Sequence, residues 1–119
     1  MQFTGGDAKK YSEAALSLAK KISYKHGIAD AYYHLARYDY YVSSYNESFE
    51  KSEKAFSLFR ETSDTNGMAF SLMCLGDAHY SIDDFREAII YYDSSLSFFN
   101  KINSEIGIAN CLMSKGDVS

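Results

Sequence analysis

Apolar residues in this chain recur at helical spacing, and the pattern itself recurs every forty residues. Leu72, Leu75, Gly76 and His79 fall at i, i+3, i+4 and i+7, one face of an α-helix. Ser81-Ile82-Asp83-Asp84 interrupts the run, and Phe85, Ala88, Tyr92 and Ser95 resume it at i, i+3, i+7 and i+10. The stretch before it reads the same way, with Tyr32, Leu35, Ala36 and Asp39, then Tyr45, Ser48, Ser52 and Ala55. Each unit is therefore predicted to be two helices joined by a short turn, an antiparallel pair. Leu16-Ser17-Leu18-Ala19 leads to Gly27-Ile28-Ala29. The same offsets carry Phe56-Ser57-Leu58-Phe59 to Gly67-Met68-Ala69, and Leu96-Ser97-Phe98-Phe99 to Gly107-Ile108-Ala109. Such a period marks repeat architectures, in which one unit cannot bury its apolar face alone and stacks on its neighbours.

Aligning residues 27–66 with 67–106 gives only seven identities, so the repeat is one of pattern. Small residues form three columns: Ala8, Ser48 and Ala88; Ala15, Ala55 and Ser95; Ala36, Gly76 and Gly116. Large residues form two: Tyr45 and Phe85; Leu16, Phe56 and Leu96. Alternating columns let the ridges of one helix seat in the grooves of another at about 8–10 Å. Ser23, Ser63 and Asn103 share a phase and are residue types that cap helix starts, so the next helix is expected to open there or one residue later, at Asp64 or Ser104. Asn66-Gly67 has the form of a hairpin turn, but its flanks have helical rather than alternating periodicity.

Composition supports this picture. The 119 residues contain no proline, so no helix is interrupted by one, and the aromatic content comes from eleven Tyr and eight Phe without Trp. No apolar run approaches the roughly twenty residues that span a bilayer. Met1-Gln2-Phe3-Thr4-Gly5-Gly6 lacks the basic start and apolar stretch of a secretory signal. A cytoplasmic chain without membrane contact is expected. Residues 1–40 hold six Lys/Arg and four Asp/Glu, hence +2; residues 41–119 hold six and twelve, hence −6. An acidic chain without a basic cluster argues against direct nucleic-acid binding.

Candidate chemistry is sparse. Cys74 and Cys111 have no close Cys or His companion and read as small buried residues in a reducing compartment. His26, His34 and His79 lack metal-ligand spacing, so neither a metal nor another cofactor is expected. Asp83-Asp84 reads as a helix start. Glu47, Glu50, Glu53, Lys51 and Lys54 read as a solvated helix face with i,i+3 and i,i+4 pairs. The chain has no Gly-rich phosphate loop and no nucleophile set in context, so no catalytic residue is assigned and no enzyme is expected. Tyr33, Tyr40 and Tyr41 lie out of phase with the core columns, as recognition tyrosines do.

The run Leu72-x-x-Leu75-Gly76-x-x-His79-Tyr80, an acidic turn, then Phe85-x-x-Ala88-x-x-x-Tyr92-x-x-Ser95-Leu96 resembles a tetratricopeptide (TPR) repeat. The departures are Asp83 and Ser43 at the usual small turn residue, His79 and Asp39 at the usual aromatic, the missing closing proline, and a period of forty rather than thirty-four. The last two agree, since a longer second helix needs the proline removed, and they resemble the extended variety of signalling scaffolds and bacterial regulators. The resemblance implies an all-α fold, a right-handed TPR α-solenoid of about six antiparallel helices. Residues 1–6 would be a flexible N-terminal segment and 7–119 the repeat domain. That domain would comprise a second helix at 7–23, full units at about 24–63 and 64–103, and the first helix of a further unit at 104–119.

The resemblance also implies that a partner peptide or helix binds in a concave groove lined by each unit's first helix. Carried over by position, the groove residues are Asp30, Tyr33, His34, Arg37 and Tyr40, then Phe70, Met73, Cys74 and Asp77, then Asn110 and Met113. The carboxylate-gripping mode of the family does not transfer: its positions here hold Tyr33, Arg37, Cys74, Asn110 and Ser114, one cation and one amide. The expected function is a non-catalytic protein–protein interaction module, a scaffold. The alternative is a ligand- or peptide-sensing segment of a larger bacterial signalling or transcription-regulatory protein. The Leu112 face, open at one end of the array, makes a homo-oligomer through the solenoid ends a further expectation.

Overall fold

Residues 5–118 are described in a computed structural model, and among them there are six helices and no strand. They are α1 (Gly5–Lys21), α2 (Lys25–Tyr41), α3 (Tyr45–Glu61), α4 (Thr65–Ser81), α5 (Phe85–Lys101) and α6 (Glu105–Val118). The all-α expectation therefore holds. Helix α1 begins at Gly5 rather than residue 7; residues 1–4 of the expected flexible segment lie outside the described residues. The first five helices have 17 residues each, about 25 Å at 1.5 Å per residue. That length matches the two shorter dimensions of the 41 × 29 × 27 Å molecule. The long axis is the direction of stacking.

All five connections are built alike. Ser23, Ser43, Ser63, Asp83 and Asn103 have φ between 54 and 63°, and each follows the last helical turn by the same interval. The next amide reaches back five residues: Tyr24 N–H to Ala19 O at 2.9 Å, Asp64 to Phe59 at 2.8 Å, Asp84 to His79 at 2.9 Å. The left-handed residue bonds back three, as Ser63 N–H does to Arg60 O at 3.1 Å. This is a Schellman end, which satisfies carbonyls the helix leaves open. Ser23, Ser63 and Asn103 thus close the preceding helix instead of capping the next. The cap lies one residue on: Asp64 Oδ1 accepts from Gly67 N–H at 2.9 Å, and Ser104 Oγ from Gly107 N–H at 3.2 Å. Asn66 and Gly67 are inside α4, in keeping with the periodicity.

Packing explains the recurring glycine. The Phe59 ring lies on Gly67 and the Phe99 ring on Gly107; an added Cβ would stand 2.4 and 2.2 Å from those rings. At the first turn Ala19 replaces the Phe, and the Tyr24 ring covers Gly27. Phe59 and Phe99 are completely enclosed, with Ala29, Ala55 and Met68 around one and Ala69 and Cys111 around the other. The small columns behave as expected in the middle of the array: Ser48, Ala55, Ala36, Gly76, Ala88 and Ser95 are buried. Ser48 Oγ donates to Ala36 O and Ser95 Oγ to Ala69 O across the helix pairs. The large columns do not fill the core. Phe85, which opens a helix at the rim, is exposed, and Tyr45, Leu16, Phe56 and Leu96 are half-buried, with Phe56 packed on the edge of the Phe59 core and Leu96 on the edge of the Phe99 core.

Each helix packs on the next in sequence; α2 also touches α4, and α4 touches α6. The backbones of α1, α3 and α5 stay apart, bridged by long side chains such as the Phe56–Phe98 ring pair at 6.5 Å. Helices that touch on one side and splay on the other curve the array towards the touching side, so α2, α4 and α6 form its inner layer. With neighbours on four sides, α4 buries nine residues.

Two pairs of variants test this packing. A Cβ at Gly76 would meet the Tyr92 ring at 2.6 Å, whereas one at Gly116, in the same column, has nothing within 4 Å. Gly76→Ala should therefore destabilise by about 1–3 kcal/mol through overpacking, while Gly116→Ala should stabilise by up to about 1 kcal/mol through helix propensity. Equal shifts in urea midpoints would contradict the packing assigned to α4 and α5. Ser63, exposed and left-handed, should gain about 1 kcal/mol on Ser63→Gly. A lower melting temperature for that variant would contradict the turn.

Candidate functional site

The inner layer owes its chemistry to residues that helical phase turns away from the columns. On α2, Tyr33, Arg37 and Tyr41 are four apart and form a ladder. The Arg37 guanidinium donates to Tyr33 Oη at 3.1 Å and to Tyr41 Oη at 2.6 Å, and lies over both rings. Tyr33 meets Phe70 of α4 at a ring separation of 6.3 Å and turns an edge to His34 at 5.5 Å. Between these helices lies a cleft of about 150 Å³ that includes Asp30, Tyr33, His34, Asp64 and Phe70 in its lining. Asp30, Tyr33, His34 and Phe70 are thus brought together, as their sequence positions require.

Further along α4, Asp77 Oδ1 accepts a 2.6 Å hydrogen bond from the Tyr92 hydroxyl of α5. Burial raises the Asp77 carboxyl above the ordinary 3.8, although the Tyr92 hydrogen bond and the Arg37 charge pull the other way. Burial likewise raises the Tyr33 phenol, against the opposing effect of Arg37. Tyr92 is raised by burial and by Asp77 beside it. The inner face therefore carries a polar seam from Arg37 to Asp77, flanked by aromatic rings.

The remaining positions divide. Met113 is 63 % exposed and Asn110 half-buried on α6. Phe70 and Met73 pack partly against the Phe99 core, so each offers an edge rather than a whole side chain. Tyr40 turns towards its neighbours, with rings of Tyr41 at 5.6 Å and Tyr45 at 6.1 Å. Cys74 leaves the set. It is buried, with its Sγ 3.8 Å from Ser48 Oγ of α3, and burial raises its thiol pKa. Its phase placed it on the edge of the inner face, where the approach of α3 covers it.

The sequence reading missed several groups. Asp39 is buried and paired with Lys51 of α3, which turns inward from the face otherwise solvated by Glu50, Lys54 and their neighbours. Only the departure of Asp39 from the apolar column signalled it. His26 bridges α2 to the cap of α4, with Nε2 2.8 Å from Asp64 Oδ2. His79 lies between the Phe49 and Tyr91 rings at 4.5 and 5.2 Å and bonds Asp84 at 3.2 Å, so that carboxylate is engaged there instead of capping α5. Among the described residues no group of His, Cys, Asp and Glu is placed to hold a metal, and no helix is long and apolar enough to cross a membrane. No family model matches the chain, and no curated protein matches it.

Asp77 yields a pH test. The folded state holds its proton more tightly than the unfolded chain does. The stability it contributes is present at pH below 3.8 and is lost as pH rises through the raised folded value. Asp77→Asn keeps an acceptor for Tyr92 and removes the half-buried charge. The variant should be more stable than the parent in urea melts at neutral pH, with the gap closing in acid. A gap that does not change with pH would contradict a raised Asp77 carboxyl.

Proposed function

We propose that the chain is a non-catalytic binding module whose inner layer, α2, α4 and α6, receives a segment of a partner polypeptide. In this reading the helix array is a right-handed TPR-like α-solenoid, and the curved face formed by the first helix of each unit is the receptor. The observation that carries it is the inequality of the two layers. Helices α2, α4 and α6 draw together while α1, α3 and α5 splay, which leaves one continuous inner face. That face combines Tyr33, Arg37, Phe70, Asp77 and Met113, a mixture of rings, a thioether and a few charges. Such surfaces hold peptides by a small number of anchors, enriched in aromatic and Arg contacts. The cation–π and hydrogen-bonded ladder of Arg37 with Tyr33 and Tyr41 fixes two of those side chains, Tyr33 and Arg37, before any partner arrives, which lowers the entropy cost of binding.

Selection of a displayed peptide library against the chain tests the proposal. Enriched peptides should lose at least about tenfold in affinity against Tyr33→Ala and against Met73→Ala, provided each variant keeps its thermal transition. An absence of enrichment, or peptides that bind parent and variants alike, would remove the inner face as the binding site.

A further inference from the structure

Helix α6 repeats the face of α4 more faithfully than any other part of the chain repeats another. Residues 105–118 match 65–78 at six positions: Gly107, Ala109, Leu112, Met113, Gly116 and Asp117 stand where α4 has Gly67, Ala69, Leu72, Met73, Gly76 and Asp77. The corresponding stretch of α2, residues 25–38, matches α4 at three. In α4 these residues have a defined task. They cover α5, through the Ser95 hydroxyl on Ala69 O, the Tyr92 ring on Gly76 and the Tyr92 hydroxyl on Asp77. In α6 Gly107 lies under the Phe99 ring and the rest of that face is open. Leu112 is 54 % exposed against 7 % for Leu72, and nothing lies within 4 Å of a Cβ at Gly116.

The opposite end of the array offers the complement. Helix α1 carries Ala8, Ser12 and Ala15 at the positions where α3 has Ser48, Ser52 and Ala55 and α5 has Ala88, Tyr92 and Ser95. The residues of α3 and α5 are buried against the helix before them, whereas Ala8 and Ala15 are exposed. Two adjoining recesses of about 340 and 420 Å³ run along the junction of α1 and α2 and share Ser12 and His34. Both are mostly apolar, with Ala15, Leu18 and Ile22 in one and Tyr38 and Val42 in the other. They form a trough equivalent to the ones that α2 fills between α3 and α4, and α4 fills between α5 and α6.

We propose that α6 of one copy of this chain seats in the α1–α2 trough of a second copy, so that the helix array continues from molecule to molecule. The forty-residue register supplies the fit. A helix of the α2/α4/α6 type belongs in that trough, and α6 presents the α4 face with its large residues against the small ones of α1. In this arrangement Ala109 meets Ala15 as Ala69 meets Ser95, and Asp117 approaches Ser12 as Asp77 meets Tyr92. Charge agrees with the pairing, because α1 carries Lys9, Lys10, Lys20 and Lys21 against Asp7 and Glu13, hence +2, and α6 carries Glu105 and Asp117 against Lys115, hence −1. The contact joins different surfaces and does not close on itself, so it propagates beyond a dimer.

Sedimentation velocity on the 119-residue chain over a wide concentration range gives the first reading. Average mass should rise with concentration past that of a dimer; a strict monomer, or a species that stops at two, overturns the proposal. Two exposed-site variants then separate the ends. Ala15→Arg blocks the trough and Leu112→Arg blocks α6, and each alone should weaken association by at least about tenfold. Circular dichroism melts confirm that both remain folded. Mixed in equal amounts they should form a heterodimer and stop there, since one keeps a free α6 and the other a free trough. Failure of the mixture to associate, or undiminished association of either variant alone, overturns head-to-tail docking. Asp30, His34 and Arg37 line both the trough and the inner face, so peptide binding is read on Leu112→Arg, in which the trough stays empty.

Discussion

A residue held in the left-handed region at every twentieth position sets the frame for the rest of this molecule. Ser23, Ser43, Ser63, Asp83 and Asn103 each turn the chain back within three residues. That turn fixes the length of every helix before α6 and the antiparallel course of its successor. With identical turns, residues forty apart occupy equivalent places, and the small columns meet where helices approach most closely. The aromatic rings on Gly67 and Gly107 depend on the same geometry, since each ring sits five residues before the cap of the following helix. A chain with unequal turns would lose the register before it lost any single contact.

From that register the two layers follow. The buried positions of α3 are Ser48, Ser52 and Ala55 with the ring of Phe59, and those of α5 are Ala88 and Ser95 with the rings of Tyr92 and Phe99. Small side chains draw the helices together, and the hydroxyls among them find backbone carbonyls, as Ser48 and Ser95 do. Polar groups at the inner layer are arranged differently. Asp77 and Arg37 keep partial access to solvent, and each is held by a tyrosine. The inner face is thereby ordered without being closed.

The sequence made the helices legible because their apolar spacing and the absence of proline agree. It made the pairing legible because the small columns recur at one period. It did not reveal which way the turn residues act, since Ser and Asn serve both ends of a helix and only the backbone angle distinguishes them. The core rings were hidden for a similar reason: Phe59 and Phe99 lie beside Leu58 and Phe98, and alternation of large residues does not say which one points inward. Candidate groove residues were legible by phase on α2, where Asp30, Tyr33 and His34 meet Phe70 around one cleft. Cys74 was misplaced because its exposure depends on α3, a neighbour that lies outside the phase of its own helix. The Asp39–Lys51 pair joins two helices: Asp39 is a charge standing in an apolar column, and Lys51 reads as a surface residue when taken alone.

The neighbour-only contact pattern also bears on how the molecule comes apart. Helix α4 is gripped on four sides, whereas α1 touches α2 alone and α6 touches only α4 and α5. In such a row, opening a terminal helix breaks one or two interfaces and leaves the remainder intact, so stability is graded along the array instead of being shared equally. Amides of α4 then exchange with solvent through the rarest openings, and those of α1 and α6 through common ones. The chain behaves less like a single switch than like a zip fastener with its firmest teeth in the middle.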